Sequence, residues 1–330
     1  MTSIPCPFLL SEKGVARKII AMACAFVLST VVTASGSLLD DANKLYSTGK
    51  LPEAIRLYKK ASLSGENPAL CSYNAANAYY QLDSLPRAVV YYTLCINAAP
   101  SFYKAYLNLA VVFFTLGDMG NCIATMREGL RIEPLQRKGS LLLAAAYRRC
   151  GAIGQSIVVF EDLAHAYPDM DEPYIALGEM YRDLNDPVMA IQWFESYPSS
   201  GKNGMSVALA LADLYESTGN LERALFYLDR SYAGDKTRKW TLYRIAVVQQ
   251  IMGDELVALE TAASGFETFP DFSPLAVLAG TIAFSHGYFG EAEKQFGAAV
   301  KLGSAEAVVG LENVKAKRKE IEEDLAHKDQ

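Results

Sequence analysis

Apolar and polar positions recur at helical spacing in the most informative stretches of the chain. Between Ser72 and Leu82 the sequence reads SYNAANAYYQL, with Tyr73, Asn77, Tyr80 and Gln81 at i, i+4, i+7 and i+8. That spacing gathers a polar–aromatic stripe opposite an Ala/Leu side, which predicts an amphipathic helix. Asn74 and Asn77 lie three apart on it, although Asn costs a helix interior roughly 0.5–0.7 kcal/mol relative to Ala. Two readings fit: a solvated helix back, or a surface that holds something. Near the other end, Ala305 to about His327 reads as one charged helix with a narrow apolar edge of Val308, Leu311, Val314 and Ile321.

A longer period runs through the chain. Gly49, Gly117, Gly151, Gly219, Gly253 and Gly287 are separated by multiples of 34 residues, and the two vacant slots hold Asp83 and Asn185. Both are residues that tolerate a left-handed backbone better than most. Five residues after each slot stands a small side chain: Ala54, Ala88, Cys122, Ser156, Ala190, Ala224, Ala258 and Ala292. Pro100, Pro134, Pro168 and Pro270 mark unit ends on the same period. Each unit therefore reads as a helix, a tight turn, a second helix held close by a small residue, and an exit. So short a pair cannot bury its apolar stripe alone, so neighbours stack into a continuous core.

This pattern resembles the tetratricopeptide repeat family. Leu109, Ala110, Phe113, Gly117, Cys122 and Pro134 occupy its signature slots in the third unit, as do Leu143, Ala144, Tyr147, Gly151, Ser156, Phe160 and Pro168 in the fourth. The resemblance implies an all-α superhelical solenoid of about eight 34-residue repeats over residues 35–306, closed by a capping helix and tail at 307–330. Two units depart from the frame. The fifth ends in YPSSGKNGM (Tyr197–Met205) with its proline early, which predicts a short second helix and a bend; the sixth exits through AGDKTRKW without proline. The expected division is thus 37–204 for repeats one to five and 205–306 for repeats six to eight.

Composition narrows the setting. The chain is 51% apolar and 21% charged, as a globular protein is. Its formal charge is −6, with 28 basic and 36 acidic side chains beyond residue 34, an unsuitable balance for neutralising nucleic-acid phosphates. Residues 1–36 read as a signal peptide or membrane anchor. Lys13, Arg17 and Lys18 precede an apolar run from Ile19 to Val32, followed by the small residues Thr33 to Ser37. A lipid on Cys24 is a further option. The implied location is exported, periplasmic or anchored on the extracytoplasmic side. Cys71, Cys95, Cys122 and Cys150 show no paired spacing and read as buried thiols rather than a disulfide framework.

Catalytic chemistry has little footing. His165, His286 and His327 are scattered, and neither a metal-ligand spacing nor a glycine-rich phosphate loop occurs; no enzyme, metal or cofactor is expected. In the family, the first helix of each unit lines a concave groove. The matching positions here include Asn43, Tyr46, Tyr73, Asn74, Asn77, Tyr80, Gln81, Lys104 and Asn108, an amide ladder suited to the backbone of an extended peptide. Asn43, Asn74 and Lys104 match the carboxylate clamp of the chaperone-binding members, but Leu39 and Asn108 stand where basic residues belong. Lys138, Arg148 and Arg149 follow, Arg148 being counted among the candidate peptide contacts, then Glu179, Arg182, Asp183, Asp213 and Glu216; internal pairing is favoured for this run of charges. Trp240, Tyr243 and Arg244 form a second aromatic–cation patch of hot-spot composition. The sequence reading is a scaffold of a bacterial cell envelope that binds an extended segment of another envelope protein. The alternative is a small-ligand-binding accessory of a transporter, with Val111 and Phe114 lining an apolar pore.

Overall fold

The computed structural model describes residues 37–198 and 203–328; residues 1–36, read from the sequence as a signal peptide or membrane anchor, lie outside them. The described residues form seventeen helices and no strand. Their second helices keep a strict 34-residue period: α2 (Leu51–Leu63), α4 (Leu85–Ala98), α6 (Met119–Ile132), α8 (Ile153–Ala166), α10 (Pro187–Glu195), α12 (Leu221–Gly234), α14 (Glu255–Thr268) and α16 (Phe289–Lys301). The first helices are α1 (Leu38–Ser47), α3 (Pro68–Gln81), α5 (Tyr103–Leu116), α7 (Arg137–Arg149), α9 (Asp171–Asp183), α11 (Gly204–Ser217), α13 (Lys239–Met252) and α15 (Ser273–Ser285). All eight turn slots are left-handed, from φ +56° at Asp83 to +92° at Gly253, with Asn185 at +59°. The eight small residues five positions later are each 0% exposed. A larger side chain there would separate the two helices of its hairpin, so the turn and the small residue together set the packing distance.

Two compact units are distinguished, residues up to Pro168 and residues from Asp169. Unit one holds four hairpins. Its main core runs from Ile55 through Tyr73, Tyr92, Leu109 and Met126 to Leu143, with a smaller cluster of Ala42, Ala54, Tyr58 and Ala75 under α1. Unit two holds the other four and ends in α17 (Ala305–Lys328).

The fifth repeat's second helix is short, nine residues against 13 or 14 elsewhere. The boundary read from sequence at 204–205 nevertheless falls inside unit two. One core joins Ala190 and Phe194 to Val207 and Leu211 across it. Tyr197 also bonds on both sides, its hydroxyl donating to Asp171 Oδ2 (3.0 Å) and accepting from the Asn203 amide (2.7 Å). α17 closes the last core with Ala307 and Val314, both 0% exposed, while Val308 is 42% exposed. The expected apolar edge holds at Leu311 and Val314 but not at Val308, and Phe296 comes against the helix at Gly310, where a Cβ would sit 2.5 Å from the ring. Among the described residues no helix is long and apolar enough to cross a membrane.

The units differ in charge. Residues 37–168 carry 13 basic and 10 acidic side chains, whereas residues 169–330 carry 15 basic and 26 acidic.

Candidate functional site

The asparagines of unit one bond to each other across successive repeats. Asn43 Oδ1 accepts from Asn74 Nδ2 (3.0 Å) and from the Tyr58 hydroxyl (2.9 Å). The next repeat copies this joint. Asn77 Oδ1 accepts from Asn108 Nδ2 (3.1 Å) and, in a short bond, from the Tyr92 hydroxyl. Asn108 Nδ2 also reaches the Tyr73 hydroxyl at 3.0 Å. Both amide pairs are separated by 31 residues, and both tyrosine donors sit on the second helix, one repeat apart.

These contacts change the expected peptide ladder. Tyr73, Asn77, Tyr80 and Asn108 are 1%, 3%, 7% and 0% exposed, so they face neighbouring helices rather than a ligand. Asn43, Tyr46 and Asn74 are half-buried, and Tyr46 accepts a short hydrogen bond from Gln81. The Asn108 carbonyl oxygen is buried without a donor, an arrangement that costs about 1–3 kcal/mol. Neutral amides satisfy most of their own bonding inside the repeat joints and leave little for a partner.

Lys104, Lys138 and Arg148 behave differently. All three are exposed, and none has an ion-pair partner among the described residues. Lys104 and Lys138 occupy the same position of consecutive first helices, one 34-residue period apart. Arg149 lies over the Phe114 ring, 5.1 Å from its centroid, and donates to the Phe114 carbonyl. A cavity of about 230 Å³ elsewhere in unit one is lined by Tyr58, Lys59, Leu63, Cys71, Tyr91 and Leu94. Lys59 sits over the Tyr79 and Tyr91 rings, and these contacts raise its pKa above the ordinary lysine value.

In unit two, Arg244 Nη2 bonds Asp213 Oδ1 (2.6 Å) and Glu216 Oε1 (2.8 Å). Asp213 and Arg244 are again 31 residues apart, so an ion pair fills the joint that amides fill in unit one. Charge attraction from the two carboxylates raises the Arg244 pKa against the desolvation that lowers it. Trp240 stays 60% exposed although Phe272 and Tyr243 approach it nearly edge-on, with centroids at 4.7 and 5.9 Å.

A further cluster gave no sequence signal. Glu195 Oε1 accepts from the Tyr215 and Tyr227 hydroxyls (2.8 and 3.0 Å) and from Arg223 (2.7 Å). The two tyrosine rings stack at 5.8 Å. Burial, then the bond to Glu195, pushes Tyr227 up to about 12. Glu195 lies 20 to 32 residues from its three partners, so no local motif announces the cluster. The cluster closes on itself and anchors the short α10.

Two of the histidines have polar partners. His165 Nδ1 meets the Glu161 carbonyl and His286 Nε2 meets Glu255 (3.1 Å). Among the described residues no three His, Cys, Asp or Glu side chains converge as a metal site. Cys71, Cys95 and Cys122 are buried free thiols, while Cys150 is free and exposed. Burial, chiefly, raises the first three to about 11, 12 and 12.

Comparison with known proteins places these hairpins. A tetratricopeptide repeat profile matches residues 103–134. The Hsp70-Hsp90 organizing protein 3 of Arabidopsis thaliana is 28% identical over 173 residues, 50% of this chain and 29% of its own length. The Hsp70-Hsp90 organizing protein of Triticum aestivum is 26% identical over 155 residues, 46% of this chain and 25% of its own. The chain thus spans under a third of the length of these curated relatives. A solved tetratricopeptide repeat protein from Parabacteroides merdae is 16% identical with a TM-score of 0.46, covering 75% of this chain and 98% of its own. The hairpin at 103–134 matches a tetratricopeptide repeat, and it is one of eight among the described residues that share its 34-residue period, left-handed turn slot and buried small residue.

Proposed function

We propose that the chain is a non-enzymatic protein–protein interaction scaffold of a bacterial cell envelope. It holds an extended segment of another envelope protein against the first helices of unit one. The observation that carries this reading is the set Lys104, Lys138 and Arg148, exposed cations without an ion-pair partner among the described residues. Carboxylates of a bound segment would meet them, and the half-buried Asn43, Tyr46 and Asn74 would form the edge of the contact. The amides underneath hold the repeats in register, so the cations are presented on a fixed frame.

The curated relatives support the scaffold class, since both are named for organising Hsp70 and Hsp90. The partner proposed here is a different one. Leu39 and the buried Asn108 stand where the chaperone-binding members carry basic residues, and Asn43 and Asn74 bond one another. Envelope placement rests on the basic residues, apolar run and small residues of the first 36 positions. The small-ligand alternative loses its apolar lining, for Val111 is 1% exposed and Phe114 lies under the Arg149 guanidinium.

The test is affinity capture from envelope extract by the parent chain and by a Lys104→Glu/Lys138→Glu/Arg148→Glu variant. A partner held by the parent and lost by the folded variant supports the reading. Equal capture by both rejects this face as the site.

A further inference from the structure

The first helices of unit two carry a face with other chemistry. Trp240, Tyr243 and Arg244 are i, i+3 and i+4 on α13 and share one side. An indole that is 60% exposed is unusual, because Trp is ordinarily well buried. Phe272 and Tyr243 hold it in place through edge contacts and leave more than half of it open. The neighbouring cation does not compete for it: Lys239 is bonded to Asp271 at 2.9 Å and lies over Phe272.

Beside the indole, two carboxylates share one guanidinium. Asp213 and Glu216 both bond Arg244, so the group keeps a net negative charge, and the Asp213 side chain is 54% exposed. The wider field has the same sign, with 26 acidic against 15 basic side chains from residue 169 onward. An open aromatic face attracts cations through its quadrupole, and a field of one sign steers the opposite charge towards it.

We propose that this face is a second docking site, for an extended Lys/Arg-bearing segment of a partner protein. One cation rests on Trp240 and the next is drawn to Asp213 and Glu216. The inference does not depend on the proposal for unit one, whose cations select the opposite charge.

The test is fluorescence anisotropy on the full chain, using a labelled decapeptide that alternates Lys or Arg with Gly or Ser, and a Glu-based counterpart. The basic peptide is expected to bind saturably. Trp240→Ala should weaken it at least about tenfold, as loss of an aromatic hot spot does, with the helical circular-dichroism signal retained. Asp213→Asn should weaken it and flatten its salt dependence. Should Asp213→Asn unfold the chain, the decision falls to Trp240→Ala, a change at an open side chain. Lys104→Glu/Lys138→Glu/Arg148→Glu should leave the basic peptide's affinity within about twofold, which separates failure here from failure of the unit-one reading. Absence of saturable binding overturns the proposal. So does an affinity that Trp240→Ala leaves unchanged, because the peptide would then be sensing only diffuse negative charge.

Discussion

One position in the repeat frame is used in two ways. Where a first helix meets the next, residues 31 apart touch. In unit one the pairs Asn43–Asn74 and Asn77–Asn108 are neutral amides bonded beneath tyrosine hydroxyls. In unit two the pair Asp213–Arg244 is an ion pair near the surface. Buried neutral networks tie up their own polar groups and leave the charges nearby unpaired. Surface ion pairs consume charge and leave an excess of one sign. The same backbone thereby presents free cations on unit one and an acidic, aromatic face on unit two.

Thiol chemistry gives the largest contrast, because all four cysteines beyond residue 36 lie in unit one. At pH 8, Cys150 should alkylate at least about 100-fold faster than Cys71, Cys95 or Cys122, which are buried and protonated. Residue-resolved mass spectrometry checks this, and fast labelling of Cys122 would break the account of the unit-one core. Burial raises the folded pKa of these thiols, so their contribution to stability is complete below the unfolded value of about 8.5. It is lost as pH rises from there towards 12.

The joint itself is tested by paired substitutions. Asn77→Ala removes a buried oxygen that accepts from both the Tyr92 hydroxyl and Asn108 Nδ2, and should cost about 3 kcal/mol in urea unfolding. Asp213→Ala, at a side chain 54% exposed, should cost less than about 1 kcal/mol, and about 1 M salt should shrink that further. The reverse order would mean that the ion pair, not the amides, is the stronger joint.

Packing inside hairpins should respond more moderately. Gly178→Ala puts a Cβ 2.6 Å from the Phe194 ring and should cost about 1–3 kcal/mol by overpacking. The smallest effects are gains: Asp83→Gly in unit one and Asn185→Gly in unit two relieve left-handed φ of +56° and +59°. Each should stabilise by about 0.5–1 kcal/mol. A loss at either site would show that its side chain does more than tolerate the turn.

Much of the architecture was legible because it depends on local or periodic signals. Asp83 and Asn185 stand in for glycine at their turns, and every small residue predicted to admit its partner helix is fully buried. Tyr197–Met205 announced the short α10 by its early proline. The site was only partly legible. Periodicity identifies which face Asn74 and Asn77 share, but not what meets it: Asn74 bonds Asn43 of the preceding repeat, and Asn77 takes the Tyr92 hydroxyl from the next helix in the chain. Asn108 and Tyr73 were read as surface for the same reason. Lys104, Arg148 and Trp240, each marked from the sequence as a candidate contact, are exposed on their first helices. Glu195 escaped entirely, its three partners being long-range.

The most direct test is a crossed titration of the full chain with the acidic and basic decapeptides. It compares the parent, the Lys104→Glu/Lys138→Glu/Arg148→Glu variant and Trp240→Ala. The first variant should lose the acidic peptide alone and the second the basic peptide alone, each by about tenfold or more. Loss of both peptides together in either folded variant, or of neither, would contradict the claim that the two units present separate faces of opposite charge.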